Sequence, residues 1–195
     1  MNTRQFLACA ALLVLAGCGT APPARLLSLP LPQPVVLDAA VRSLAPSVLV
    51  VRRVSIPEYL QANAVRFRAA NSLLSEWPGT AWADRLEVGL TDHLLMRLRL
   101  HLPGWTVCDR ACPPHAKAKV LTVDLAPLDH VRATHELKAG MHWQLGQRGA
   151  EGRAHTKAVV MPVATDSPEG QAEALGQVLD LLAQDVAFSL VRGSL

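Results

Sequence analysis

The apolar positions change period several times along this chain, and each change predicts a different element. Leu49 to Ile56 is rich in valine and isoleucine and ends at Pro57, which reads as a strand. Its halves disagree in parity, with Leu49 and Val51 on one face and Val54 and Ile56 on the other. Either a bulge sits at Arg52-Arg53 or the strand is covered on both faces. Val65, Phe67 and Ala69 then alternate with Arg66 and Arg68, giving a second short strand with one wet face. From Thr80 to Leu102 the period turns helical. Trp82, Leu86, Leu90, Leu94 and Leu98 recur every four residues, and Leu95 and Leu102 widen the stripe. Thr80 is placed to cap the start of this helix and Pro103-Gly104 to stop it.

Three further strands follow. Leu121, Val123 and Leu125 alternate with Thr122 and Asp124. Leu137, Ala139, Met141, Trp143 and Leu145 alternate with Lys138, Gly140, His142 and Gln144, the cleanest two-residue period in the chain. Ala154 to Val163 is the third, after a Gly146–Gly152 turn region. Ser167-Pro168-Glu169 opens a last helix, whose stripe is Leu175, Val178, Leu179, Leu182, Val186 and Leu190. The order β-β-α-β-β-β-α gives the α+β class: a single domain, a mostly antiparallel sheet packed by two amphipathic helices. That domain is expected over residues 35–195.

The first 34 residues follow a different logic. Arg4 precedes an unbroken apolar run, Phe6 to Ala16, and small residues follow it, the layout of a secretory signal peptide over residues 1–17. The run is far shorter than the roughly 20 residues that a spanning helix needs. Leu15-Ala16-Gly17-Cys18 resembles a bacterial lipobox. By that resemblance the chain is cut between Gly17 and Cys18, and Cys18 takes the lipid, a covalent palmitate-type anchor and the only prosthetic group expected. Residues 18–34 carry Pro22, Pro23, Pro30, Pro32 and Pro34 and almost no charge, so a semi-extended tether is predicted. Within it, Arg25-Leu26-Leu27-Ser28-Leu29 is able to pair as a short edge strand. Gly19 stands where sorting of the enteric type uses aspartate for retention at the inner membrane. That points to the outer membrane, on its periplasmic face.

Composition adds little beyond this. Half of the residues are apolar and 4% are aromatic, so aliphatic side chains should dominate the core. The formal charge of +3 falls to +2 once Arg4 is removed, which argues against nucleic acid or a polybasic membrane patch. With Cys9 in the signal and Cys18 acylated, Cys108 and Cys112 remain, and in an oxidising compartment they should close a small disulfide. The alternative, a metal site of Cys108, Cys112 and His115, is disfavoured because thiols rarely persist as ligands there.

Signatures of catalysis are missing: no Gly-x-Ser-x-Gly, no phosphate-binding loop, no Gly-x-Gly-x-x-Gly and no His-Glu-x-x-His. The histidines read as scattered surface residues, with His130 and His135 flanking a turn and His142 and His155 facing outward. The pairs Arg52-Arg53, Arg66/Arg68 and Arg97/Arg99 read as a solvated face, although a headgroup- or phosphate-binding role is the alternative. Trp82 reads as a helix anchor in the core or else as part of a partner-facing patch. The chain is expected to be no enzyme and to hold no metal.

Val54-Ser55-Ile56-Pro57-Glu58-Tyr59-Leu60, Val65-Arg66-Phe67-Arg68, Asn71-Ser72-Leu73 and Trp82-Ala83-Asp84-Arg85-Leu86 follow one another in that order. This series resembles the ABC-type transport auxiliary lipoprotein family, whose best-known member is the lipoprotein of the paraquat-inducible operon. The family's strand end reads V-x-V/I-P-x-Y-L-D-R and its helix start W-A-E-P-L. Pro57, Tyr59, Leu60, Trp82, Ala83 and Leu86 match, whereas Gln61-Ala62 replaces Asp-Arg and Asp84-Arg85 replaces Glu-Pro. The resemblance implies a non-enzymatic partner of mammalian-cell-entry (MCE) type lipid transporters, with their permease and ATPase subunits. It would dock or receive the assembly at the outer membrane through a surface that includes Pro57, Tyr59, Leu60 and Trp82. A partner of ring-shaped assemblies is also a candidate homo-oligomer. Two other classes are weighed against it: a free-standing outer-membrane lipoprotein that binds a β-barrel or lipopolysaccharide as an assembly factor, and a periplasmic hydrolase or metalloprotein.

Overall fold

The computed structural model describes residues 23–109, 111–114, 118–147 and 152–192. The predicted signal, Gly17, Cys18 and His115 lie outside them. Among the described residues the elements are β1 (Arg25–Leu27), α1 (Ala39–Arg42), β2 (Val48–Val51), a 3-10 turn (Glu58–Leu60), β3 (Ala64–Ala70), β4 (Leu73–Trp82) and α2 (Leu86–His101). They continue with β5 (Thr106–Cys108), β6 (Lys119–Val131), a second 3-10 turn (Arg132–Thr134), β7 (Glu136–Gln147), β8 (Arg153–Pro162) and α3 (Pro168–Arg192). The α+β class holds.

The strands form one eight-stranded sheet, and β6 is its spine. Strand β7 pairs antiparallel with β6 along its length, and β8 pairs with β7. On its other edge β6 meets β2 at one end (Val51 opposite Leu121) and β3 at the other (Arg68 opposite Val131), both parallel. Strands β5 and β1 extend the two prongs of this fork, again in parallel. The sheet is therefore mixed rather than uniformly antiparallel. Parallel neighbours need crossover connections, and α2, leading from β4 to β5, supplies one.

The parity conflict around Arg52-Arg53 resolves as an irregularity. Val51 faces Leu121 and Ser55 faces Asp124, so four steps of one strand accompany three of the other. Val51, Val54 and Ile56 all reach the core while Arg52 and Arg53 stay exposed. The predicted helix start fails by six residues. Thr80 and Trp82 belong to β4, and α2 begins at Leu86 after Arg85, with no side-chain cap. The misleading sign was the four-residue spacing from Trp82 to Leu86. Upstream, Trp77, Thr80 and Trp82 are buried in a strand that Pro78 and Gly79 (φ +60°) bend. Two steps of β3 there accompany five of β4. The edge strand predicted at Arg25–Leu27 is β1, and the proline-rich stretch after it lies on the fold, with Leu29 buried in the core.

Helices α2 and α3 cover one face of the sheet. Leu90, Leu94 and Leu98 from α2 and Leu175, Val178, Leu179, Leu182, Val186 and Leu190 from α3 meet Leu121, Val123, Leu125, Leu137, Ala139, Met141 and Trp143. Each fully buried aliphatic side chain of this size contributes about 1.5–3 kcal/mol. Helix α3 has the length and hydropathy of a membrane-crossing helix, but most of its apolar window is buried in this layer. The opposite face, with Thr122, Lys138, His142, Thr156 and Val160, is exposed.

A charge sits deep inside the helical layer. Arg97 is 2% exposed; its Nε donates to Asp180 Oδ1 (2.7 Å), Nη1 to the His93 carbonyl (3.3 Å) and Nη2 to the Pro30 carbonyl (3.2 Å). The solvated reading of Arg97 is thus corrected: it is the clamp between α2, α3 and the N-terminal segment. Gly176 allows the approach, since a Cβ there would lie 2.7 Å from Pro30 Cγ and 3.2 Å from Arg97 Nη2.

A second close approach gives a test. Strand β6 carries an extra residue between Leu125 and Leu128, and the resulting bulge presses on β7. A Cβ on Gly140 would lie 2.3 Å from the Ala126 carbonyl oxygen, so backbone has to move. Gly140→Ala is expected to lower the unfolding free energy by about 1–3 kcal/mol, measured by urea denaturation, with the fold retained. No loss of stability would show that the bulge is not held as described.

Candidate functional surface

The residues predicted to meet a partner divide between surface and core. Pro57 ends the extended chain from β2 and Glu58–Leu60 turns it back toward β3. Leu60 and Trp82 are 6% and 5% exposed, so their side chains belong to the core, while Pro57 and Tyr59 remain half-buried. Tyr59 is fastened at both ends. Its hydroxyl donates to Asp129 Oδ1 (2.9 Å), and its carbonyl accepts from Arg66 Nη1 (2.6 Å). Arg68 Nη2 donates to both oxygens of Asp129 (3.0 and 2.9 Å), and Arg66 Nε donates to Glu76 Oε1 (2.9 Å). Burial, followed by the Asp129 hydrogen bond and charge, pushes the Tyr59 phenol up and keeps it neutral. The Arg66/Arg68 pair therefore belongs to a fixed network of ion pairs beside the corner and is not a pair of open charges.

Behind that network lies a buried aromatic cluster that sequence reading missed. Phe67 and Trp77 meet with ring centroids 4.9 Å apart, and the Arg132 guanidinium covers both at 5.1 and 4.6 Å. Arg132 is held in turn by Asp166 (2.8 Å). Gln171 of α3 is the hub: its amide nitrogen donates to the Arg66 carbonyl (2.7 Å). That orientation makes Gln171 Oε1 the acceptor for Trp77 Nε1 (2.9 Å) and for His130 Nδ1 (3.2 Å). His130 Nδ1 must then carry the proton, and Nε2 is left buried without a partner.

This corrects the reading of the histidines. His130 is 1% and His93 8% exposed, both inside the structure. His155, expected to face outward, is half-buried and stacks on Trp143 at 5.1 Å, with the ring planes 7° apart. No signal in the pattern marks His130, because it falls just past the bulge in β6, where the alternation changes parity. Burial lowers the pKa of His130 and His101, and burial with the nearby Arg97 charge lowers that of His93. Cys108 and Cys112 are joined as a disulfide with their Cα atoms 5.5 Å apart, which removes both thiols as metal ligands.

The remaining arginines do not form one patch. Arg99 Nε donates to the Val107 carbonyl (3.1 Å). Arg52 and Arg53 line a cleft of about 590 Å³, but Asp92 and Asp109 line it too. Another group of cations, Lys119, Arg153 and Arg192, collects at the far end of α3 and was not singled out in the sequence. The polar groups at the Tyr59 corner and in the aromatic cluster hold secondary structure together.

A sequence model described as the ABC-type transport auxiliary lipoprotein component matches residues 28–187. Comparison of the sequence with curated proteins gives no match. Among solved structures, the chain is similar to an uncharacterized protein with a TM-score of 0.69 and 20% identity, over 86% of this chain and 98% of that one. It is also similar to a protein from Xanthomonas campestris, with a TM-score of 0.68 and 15% identity, over 87% of this chain and 97% of the other. At these identities the two likenesses show the fold.

The buried histidines give a pH test. His130 stays neutral in the native state, so the unfolded chain takes up the proton first, near an ordinary pKa of about 6.5. The unfolded state then binds more protons, and stability falls as pH drops through that value, by up to about 1.4 kcal/mol per pH unit for one group. His93 and His101 act in the same direction. Urea titrations between pH 7 and pH 5 should show this loss, and His130→Gln should reduce the slope. An equal slope in that variant would remove His130 from the account.

Proposed function

The chain belongs to the ABC-type transport auxiliary lipoprotein component family, and from that premise we propose that it is a lipid-anchored accessory subunit of an MCE-type intermembrane lipid transporter. In this reading it is no enzyme. It is held by acyl chains on Cys18 to the periplasmic face of the outer membrane, where it docks or receives the assembly that the permease and ATPase drive from the inner membrane. The observation that carries the reading is the family match across residues 28–187. Leu15-Ala16-Gly17-Cys18 and the residue that follows, Gly19, support the anchor and its address.

The partner surface is narrower than the four residues first singled out. Since Leu60 and Trp82 are buried, their part is to hold the corner in shape. Pro57 and Tyr59, with the Arg66 and Arg68 ion pairs beside them, present the half-exposed surface. A fixed corner of this kind suits docking, because little ordering entropy remains to be lost on contact.

Two measurements test the proposal. Radiolabelled palmitate should attach to the protein and fall to background in Cys18→Ser. Label that persists in this variant would remove the anchor. Acylated protein captured from membranes in mild detergent should bring an MCE-type subunit with it. Capture without any such subunit would overturn the partnership, and recovery with a β-barrel would favour an assembly factor instead.

A further inference from the structure

Two adjoining cavities, of about 170 and 240 Å³, open at the C-terminal end of α3 and share His155, Ser189 and Arg192. Three separate elements deliver cations there. Lys119 begins β6, Arg153 begins β8, and Arg192 ends α3; the register places Lys119 opposite Gln147 and Arg153 opposite Leu145, at one end of the sheet. Arg192 also suits the negative end of the helix dipole, which accounts for one cation but not for two on strands. No ion pair or hydrogen bond engages the side chains of Lys119, Arg153 or Arg192 among the described residues. The acid lining the cleft, Asp185, is taken by Lys157 at 2.8 Å, and Ser189 donates to the Asp185 carbonyl (2.8 Å).

Trp105 lines one cavity and Trp143 the other, which places an indole beside each. Three unpaired cations around one opening call for an anion with several acceptor oxygens. Leu145 and Phe188 line the same walls, so an apolar substituent on that anion is accommodated.

We propose that this cleft binds a phosphate group through Lys119, Arg153 and Arg192. The phosphate comes from one of two sources: a phospholipid headgroup or a free phosphate. Charge-assisted hydrogen bonds from guanidinium to phosphate oxygens are roughly twice as strong as neutral ones, which favours phosphate over an uncharged polar ligand. The inference stands on the cleft alone and holds whether or not the chain is anchored or has a transporter as partner.

The test uses the mature acylated protein in nonionic detergent, with indole fluorescence as the readout and phosphorus NMR as a second one. Inorganic phosphate, glycerol 3-phosphate and phosphatidylglycerol carried in the same micelles are each titrated. At least one should give a saturable response, weakened roughly tenfold or more in Arg153→Gln/Arg192→Gln. Arg52→Gln, in the other cleft, should leave it unchanged. A lower midpoint for phosphatidylglycerol than for the soluble phosphates identifies a headgroup; equal or better binding of inorganic phosphate identifies a free phosphate. Both support the site. Both substituted side chains are on the surface, so the double variant should keep its circular dichroism and melting temperature. The proposal is overturned by no saturable response to any of the three, or by a response that the double variant leaves within about twofold.

Discussion

A guanidinium buried in a layer of leucines is tolerable only where each of its polar edges meets an acceptor, and Arg97 satisfies that condition by joining three segments. Its partners are a carboxylate on α3, a carbonyl of its own helix and a carbonyl of the N-terminal segment at Pro30. Asp180 is about half exposed, so water shares the charge on that side and the pair is not sealed from solvent. What the arrangement fixes is position. The N-terminal segment lies across the two helices because Arg97 needs its carbonyl and Gly176 leaves room for Pro30. Without that constraint, α2 and α3 would still cover the sheet through their aliphatic stripes, but the incoming chain would lose its hydrogen bond to the helical layer at Pro30.

Where one face of an element is buried and the other wet, the sequence is easy to read. The period-two run in β7 and the stripe of α3 correspond closely to the buried sets, since a one-residue error would turn every aliphatic side chain to water. Legibility fails where the backbone departs from regularity. Strand β4 was hidden because Pro78 and Gly79 break its alternation, and Trp82 happens to fall one helical turn before Leu86. Strand β6 was read only to Leu125, because the extra residue at its bulge shifts the parity beyond that point. Bulges are a property of two strands, and one strand's sequence carries only half of the signal.

The candidate surfaces follow the same rule. Tyr59 stood out through a local series of residues, and its immediate partner Asp129 lies 70 positions away. Gln171, which closes the aromatic cluster, has the look of an ordinary helix-start residue until Trp77, His130 and the Arg66 carbonyl converge on it. Lys119, Arg153 and Arg192 are single charges in three places, and the arginine pairs drew more notice because they are adjacent in sequence. In the fold two of those pairs are spent, Arg66 and Arg68 on carboxylates, Arg97 inside the core and Arg99 on a carbonyl, while Arg52 and Arg53 stay exposed in a cleft shared with Asp92 and Asp109. Adjacency in sequence was a poor guide to free charge, and topology decided which cations stayed unpaired.

The placement of the N-terminal segment also bears on what could reach the far cleft. Strand β1 pairs with β4 near the start of α3, where Arg25 meets Glu169 at 3.2 Å, while the cleft lies at the other end of the helix around Arg192. At 1.5 Å per residue, Glu169 and Arg192 are about 35 Å apart along the axis. From Cys18 to Pro23 the chain spans at most about 17 Å when fully extended. On the proposed anchoring, a body standing upright holds the cleft well clear of the leaflet that carries its acyl chains. A phosphate bound there would then be one presented from the side away from the anchor. A headgroup of the anchoring leaflet would meet it only if the body lay flat along the membrane.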